Sequence, residues 1–246
     1  MVYQGSKNRL AKDLVPIIQS YVDNPSCIGY LEPFVGGANL IDKIVHPNKF
    51  GSDIHPYLIA LLKQVQSNSS VIPLHISEEE YLSVRDNKDN YEPWYVGLVG
   101  FCATYGSRYF EGYARGFKSD GVTSRDIPNE RINNLIKQAS NLKGINFNCL
   151  DYKDINSNIH DYVIYCDPPY RNTKKYNVEQ FDYEKFYKWC IQMAQNNIVL
   201  VSEYNMPEDK FECIWSKKTK TMLDSLKDKG YERVEKLFKV RGDIYE

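Results

Sequence analysis

The residues Asp167-Pro168-Pro169-Tyr170 stand directly after the apolar run 162–166. A short run of that kind reads as a buried strand. In open α/β sheets, ligands bind beyond the carboxyl ends of the strands. Two successive prolines remove two N–H donors and stiffen the turn, and each holds the residue before it extended. The Asp167 carboxylate and the Pro168 carbonyl then face one point with no competing backbone donor. Such an acceptor pair suits an aromatic amine, whose lone pair is delocalised into its ring and is a poor nucleophile. Accepting both of its N–H bonds turns the lone pair toward a methyl donor and offsets the positive charge that develops, a form of electrostatic preorganisation. Tyr170 can stack on a planar base. By itself the tetrapeptide is equally a strand-ending turn with a half-buried tyrosine.

Two further groups point to a bound nucleoside. Leu31-Glu32-Pro33-Phe34-Val35-Gly36-Gly37 closes one apolar run and precedes another, and its glycines allow close approach of a ligand to backbone. It is not a G-x-G-x-x-G fingerprint, and nothing in it suggests a pyrophosphate. About twenty residues beyond this turn stands Asp53, where nucleotide-binding folds place the acid that holds ribose hydroxyls. Read separately, the first group is a tight strand-to-helix turn and Asp53 a helix cap.

The elements that must position these groups follow from periodicity. Leu10, Leu14, Ile17 and Ile18 recur at helical spacing, 28–34 reads as a buried strand, and Leu40, Ile41 and Ile44 predict a helix after it. A strand end at 50–53 and a helix over 55–65 come next. This β-α-β-α order implies a parallel sheet covered by helices. Strands are expected again at 145–150, 162–166 and 198–202, a helix at 181–195, and a terminal hairpin from 211–215 and 234–240. Between them, residues 68–131 contain short helix candidates, and 105–126 is rich in Gly, Arg and aromatic residues with no sustained period, as in an inserted, loop-rich subdomain. The polar patch 66–70 reads as a linker.

Composition adds bounds. The chain has 246 residues, 42% of them hydrophobic, enough for one sizeable core. Mean hydropathy is −0.52, no apolar run is long enough to span a bilayer, and the first residues are not a secretory signal. A cytoplasmic protein without membrane contact is expected. The six cysteines form no C-x-x-C pair, so neither a metal nor a redox motif is expected, and buried free thiols are. A net charge of −1 argues against a strongly basic nucleic-acid binder, although a local concentration of charge binds a polyanion on a neutral protein.

Taken together, three motifs resemble those of the Dam-like family of DNA adenine N6-methyltransferases, in that family's order. Tyr3-Gln4-Gly5-Ser6-Lys7 is similar to its N-terminal aromatic-x-Gly-[Gly/Ser]-Lys motif, Glu32 to Gly37 to its main cofactor loop, and Asp167 to Tyr170 to its catalytic motif. The resemblance spans nearly the whole chain and includes Ser202-Glu203-Tyr204; Ser6 and Ala38 replace glycines common in relatives. It implies a Rossmann-like S-adenosylmethionine-dependent methyltransferase sheet with an inserted, mainly helical and loop-rich target-recognition subdomain. The catalytic domain would be residues 1–65 and 132–246, and the insertion residues 66–131. It further implies that Tyr3, Lys7, Glu32, Phe34 and Gly36 line the S-adenosylmethionine site and that Asp53 holds its ribose. Asp151, followed by Tyr152, would flank its adenine, and Asp167, with Pro168 and Tyr170, would meet the target amine.

The same resemblance makes double-stranded DNA the partner, with the target adenine flipped out of the stack, no metal, and a monomer or weak dimer. Arg108, Arg115, Lys118 and Arg125 are the candidate DNA contacts, because they interleave with aromatics that can wedge or stack. The opposing reading is a solvated loop, since residues 105–131 hold five basic against four acidic residues. Arg171, Lys174 and Lys175 could add phosphate contacts; Lys217, Lys218 and Lys220 read as a solvated run. Rival functions are an amine methyltransferase acting on RNA or protein glutamine, and an inactive DNA-binding relative. A restriction-modification, phage or orphan setting fits equally.

Overall fold

The computed structural model describes residues 1–117, 119–170, 181–220 and 232–242. Seven strands form one sheet: β1 (Gly29–Glu32), β2 (Lys49–Asp53), β3 (Ile145–Cys149), β4 (Tyr162–Cys166), β5 (Ile198–Glu203), β6 (Phe211–Lys220) and β7 (Glu232–Val240), in spatial order β3-β2-β1-β4-β5-β7-β6. The first five strands are parallel, and β7 runs antiparallel between β5 and β6. Strand order reverses between β1 and β4, so the crevice at their carboxyl ends is where an open α/β sheet binds ligand. Glu32 ends β1 and Asp167 follows β4, with Leu31 opposite Ile164 in the register.

Period-two alternation sends Tyr30, Val163, Tyr165, Leu200 and Leu237 to one face of the sheet, in a core shared with α1 (Ala11–Val22), α2 (Pro56–Asn68), α4 (Pro93–Cys102) and α5 (Ile127–Leu142). Leu31, Ile164, Cys166, Val201 and Phe238 face the other way, onto α6 (Tyr183–Ala194). The short α3 (Glu78–Asp86) adds Tyr81 and Val84 to the first core. Helix α4 crosses α2 so closely that a Cβ at Gly97 would lie 2.1 Å from the Tyr57 carbonyl oxygen. Of the cysteines, Cys102, Cys166 and Cys190 are buried free thiols, whereas Cys149 and Cys213 are exposed.

The helix expected from Leu40, Ile41 and Ile44 does not form. These residues are buried, yet residues 37–48 are a succession of turns. Side chains satisfy carbonyls that a helix would have bonded internally. Lys49 Nζ donates to Ile41 and Ile44 (3.1 and 3.0 Å), Lys43 Nζ to Asn39 (2.7 Å), and Gln138 Nε2 to Gly37 and Ala38 (3.2 and 3.0 Å). The supposed linker 66–70 is also helical, the last turn of α2 and a 3-10 turn at Ser69–Val71. Helix α5 is not among the expected elements, although Ile132, Leu135, Ile136, Ala139 and Leu142 recur at helical spacing; it is capped by Asp126, whose side chain accepts from the Asn129 amide (3.0 Å). The divisions expected at 65/66 and 131/132 fall inside α2 and α5.

Candidate active site

Asp167 is the first residue beyond β4, and its carboxylate meets the ammonium of Lys7 at 2.8 Å. Lys7 is no solvated helix-start lysine. It lies in a 3-10 turn (Lys7–Arg9) begun by Ser6, whose hydroxyl accepts from the Asn8 amide at 3.2 Å. Its side chain is 9% exposed, that of Asp167 20%. Lys7 Nζ also donates to the Gly5 carbonyl (3.3 Å) and lies 4.5 Å from the centre of the Tyr170 ring. Burial raises the Asp167 pKa above the ordinary carboxylate value, and Lys7 opposes the rise. Pro168 is buried and Pro169 exposed; the Pro169 carbonyl accepts from the Tyr183 hydroxyl at 2.8 Å.

The loop after β1 faces this group. Glu32 accepts a hydrogen bond from the Tyr30 hydroxyl (2.7 Å) and is fully enclosed. Burial lifts its pKa to about 8, against the Tyr30 bond and helped by the nearby charges of Asp42 and Asp167, so Glu32 holds its proton at neutral pH. Gly36 has φ +48°, and a Cβ there would lie 2.9 Å from the Tyr3 ring, which explains why glycine is required. The Gly36 amide donates to Asp53 Oδ2 (3.2 Å) and the His55 amide to Asp53 Oδ1 (3.0 Å), tying the β1 and β2 loops together. Asp53 does not cap α2. That role belongs to His55, whose Nδ1 accepts from the Leu58 amide at 3.3 Å. Burial raises the Asp53 pKa, and its amide bonds hold it down.

Asp151 begins the 3-10 turn Tyr152–Asp154 and accepts from the Lys153 amide at 3.1 Å. Tyr152 lies against Phe34, ring centres 5.4 Å apart, which brings this segment to the β1 loop. The structure therefore assembles two adjoining clusters: Lys7, Asp167 and Tyr170 in one, Tyr3, Gly36, Asp53, Phe34 and Tyr152 in the other. The sequence motifs do not mark Ile54 or Glu235, and Tyr204 enters them only as the last residue of Ser202-Glu203-Tyr204. Ile54 is an apolar side chain 57% exposed directly beyond Asp53, and that position was its only signal. Tyr204 meets the Tyr170 ring edge-on with centres 4.6 Å apart, and Glu235 accepts from the Tyr170 hydroxyl at 3.0 Å. Nothing local in the sequence marks Glu235.

The arginines expected to contact DNA each pair with a glutamate. Arg108 pairs with Glu111 (3.1 Å), Arg115 Nε with Glu78 (3.1 Å) and Arg125 Nε with Glu130 (2.9 Å), all exposed. Lys118, Arg171, Lys174 and Lys175 lie outside the described residues. Lys217 pairs with Asp13 at 2.7 Å. The segment is anchored by Tyr109, packed against His55 (4.4 Å) and Phe101 (5.1 Å), while Tyr105 and Phe117 remain largely exposed. Among the described residues, no cluster of His, Cys, Asp and Glu could hold a metal ion, and no helix is long and apolar enough to cross a membrane.

A family model for the D12 class N6 adenine-specific DNA methyltransferases matches residues 3–236. No curated protein matches the chain. Two solved structures of the rRNA methyltransferase aviRa from Streptomyces viridochromogenes align with 94% and 95% of this chain and 84% of their own, at 10% and 12% identity and TM-scores of 0.42 and 0.44. The putative methyltransferase SMU.472, complexed with SAH, aligns over 95% of this chain and 52% of its own, at 10% identity and a TM-score of 0.34.

Proposed function

The chain belongs to the D12 class N6 adenine-specific DNA methyltransferase family, and from that premise we propose that Asp167, Pro168 and Tyr170 form the site where adenine N6 is methylated, with S-adenosylmethionine as donor. The observation that carries this reading is the placement of the Asp167 loop at the β1/β4 reversal, beside the Glu32–Gly37 loop. The donor site fits its ligand. Asp53 offers an acid at the end of β2 that accepts the Gly36 and His55 amides, with Ile54 also bonding it, and a carboxylate with about four acceptor sites keeps one for a ribose hydroxyl. Ile54 and Phe34 offer apolar surface for a flat ring, and Tyr3, Gly36 and Asp151 border the same loops.

S-adenosylmethionine supplies an electrophilic methyl on a sulfonium. The Asp167 carboxylate and Pro168 carbonyl accept the two N–H bonds of the amine, which frees its lone pair for in-line attack. With the donor bound, the N–C bond would form as the S–C bond breaks and the thioether leaves, and the positive charge growing on N6 would lie beside Asp167. Its largely buried carboxylate would stabilise that charge more than an exposed one could and would take the N6 proton it holds, releasing it to solvent. Tyr170 supplies an aromatic wall for the base, which must leave the duplex because its amine is inaccessible within the stack. The direct test follows methyl transfer from labelled S-adenosylmethionine to unmethylated duplex DNA, RNA and protein, with digestion of the product. Label in N6-methyladenine from duplex DNA is expected; label confined to RNA or glutamine would overturn the reading.

The segment carrying Arg108, Arg115, Lys118 and Arg125 is the proposed DNA-reading surface. Its described arginines already hold carboxylates, but exposed pairs of this kind contribute only about 0–1 kcal/mol, so exchanging carboxylate for phosphate costs little. Arg115→Ala is expected to weaken binding to all duplexes and lower the salt slope by about one if Arg115 holds a phosphate. If it reads a base, the loss is about 1–3 kcal/mol at one position of the recognition site. Affinity over a salt series decides between them. Unchanged affinity, specificity and slope in Arg108→Ala, Arg115→Ala and Arg125→Ala would place the DNA elsewhere.

A further inference from the structure

We propose that Glu235 is a positioning residue for the catalytic loop. From β7 it holds the Tyr170 hydroxyl, and it faces Asp167 as a negative counterpart to the positive Lys7. The inference rests on the reading of Asp167 and Tyr170 given above.

Stacking on a base requires only an aromatic ring, and a phenylalanine at position 170 would provide one. The hydroxyl of Tyr170 instead donates to Glu235 Oε2 at 3.0 Å, 65 residues away in the chain. A hydrogen bond to a carboxylate is shorter and about twice as strong as one between neutral groups, so it holds the ring more firmly than packing does. The support around it is built from several elements. Tyr204, just beyond β5, packs edge-on against the Tyr170 ring, and Lys7 lies over the ring at 4.5 Å. In the β6/β7 register Glu235 stands opposite Lys217, whose ammonium is held by Asp13 of α1 at 2.7 Å. The ring is thus fixed at its hydroxyl, at its edge and over its face. A loop that leaves β4 through two prolines has few hydrogen bonds of its own with which to do this.

The charges facing Asp167 come from each element around it. Lys7 approaches from the N-terminal turn at 2.8 Å, Tyr170 from its own loop, Tyr165 from β4, Glu32 from β1 and Glu235 from β7. Glu32 holds its proton at neutral pH, so Lys7 and Glu235 are the opposed formal charges. Lys7 favours the ionised carboxylate and Glu235 disfavours it. Ionised Asp167 is the form that accepts the N–H bonds, so the rate rises with pH through its pKa.

The experiment measures single-turnover methyl transfer against pH for wild type, Glu235→Gln, Glu235→Ala, Tyr170→Phe and Glu235→Ala/Tyr170→Phe. Glu235→Gln keeps an acceptor oxygen and loses the charge. Its plateau should fall less than that of Glu235→Ala, and its acid limb should move to lower pH, because the charge that raises the Asp167 pKa is gone. Glu235→Ala frees the ring, and a displacement of about 1 Å can cost on the order of 10²-fold in rate. Tyr170→Phe should fall at least as far, because it also removes the hydroxyl's bond to Asp167, and the double variant should fall no further than Tyr170→Phe, since the Glu235 bond is already lost there. A wild-type plateau in Glu235→Ala, an unmoved acid limb in Glu235→Gln, or additive losses in the double variant would each overturn the inference. Asp167→Ala is run beside them. If it stays active, the underlying reading fails; if it is inactive while the Glu235 variants behave as wild type, only the role of Glu235 fails.

Discussion

Asp167→Ala is expected to lower single-turnover methyl transfer to adenine by roughly 10²-fold or more, the loss typical of removing one preorganised group that faces developing charge. Among the described residues 167–170, this carboxylate is the formally charged acceptor, and the Pro168 carbonyl would then hold the amine by one bond. Asp167→Asn separates the two contributions of the side chain. It keeps a carbonyl acceptor in nearly the same place but removes the charge, so its rate should fall between wild type and alanine. Stability should change in the opposite sense to activity. Burial disfavours the ionised carboxylate, and an acid whose folded-state pKa is raised makes folding less favourable as pH rises through that range. Alanine removes this penalty, although it also leaves Lys7 without its partner. Rapid-quench measurement with excess enzyme checks the rate. A variant that keeps most of its single-turnover rate would remove Asp167 from the chemistry.

Lys7→Met is expected to be nearly as damaging, by a different route. Lys7 is the cation at the Asp167 carboxylate, 2.8 Å away, and neither side chain is more than a fifth exposed. Removing one partner of a buried pair can cost about 3–5 kcal/mol because a charge is left uncompensated. Here the carboxylate can escape most of that cost by taking up a proton, and its partial exposure reduces the cost further. The consequence is functional. Without Lys7 the Asp167 pKa rises further, a protonated carboxyl can no longer accept both the charge and the N–H bond, and the acid limb of the rate profile moves to higher pH. Raising the pH should recover much of the rate, provided the fold holds. The thermal stability of Lys7→Met relative to wild type should fall as pH rises, because ionising Asp167 without its partner is then forced on the folded state. A rate profile superimposable on wild type would show that the Lys7–Asp167 contact has no part in catalysis. A uniform loss at every pH would mean that Lys7 acts through binding instead.

These two residues are 160 positions apart in the chain, and the contrast between them shows how far the sequence reaches. The placement of the tetrapeptide 167–170 at a strand end was legible because it is a local property. An apolar run stopped by an acid and two prolines needs no distant partner to mark that end, and β4 runs over the expected residues. The parallel sheet was legible for a similar reason, since period-two burial and β-α alternation are properties of short windows. The resemblance to adenine methyltransferases is read from motifs of that same local kind, and the family model that matches extends over residues 3–236.

Tertiary structure decided what depends on partners from elsewhere. Leu40, Ile41 and Ile44 are spaced as in a helix, but Lys49, Lys43 and Gln138 take their neighbourhood's carbonyls and the chain turns instead. Lys7 has the sequence context of a surface lysine and is buried because the N-terminal turn lies against the β4 loop. The arginines of the 105–126 segment read as free cations, yet the described ones each hold a glutamate, with Glu78 reaching Arg115 from the start of α3. Glu235 has no local signature, because its position beside Tyr170 follows from β7 running antiparallel next to β5. Periodicity records which side chains avoid water, a property of each residue and its near neighbours. Which charge meets which is set by strand order and direction, and those depend on the free energy of the whole sheet.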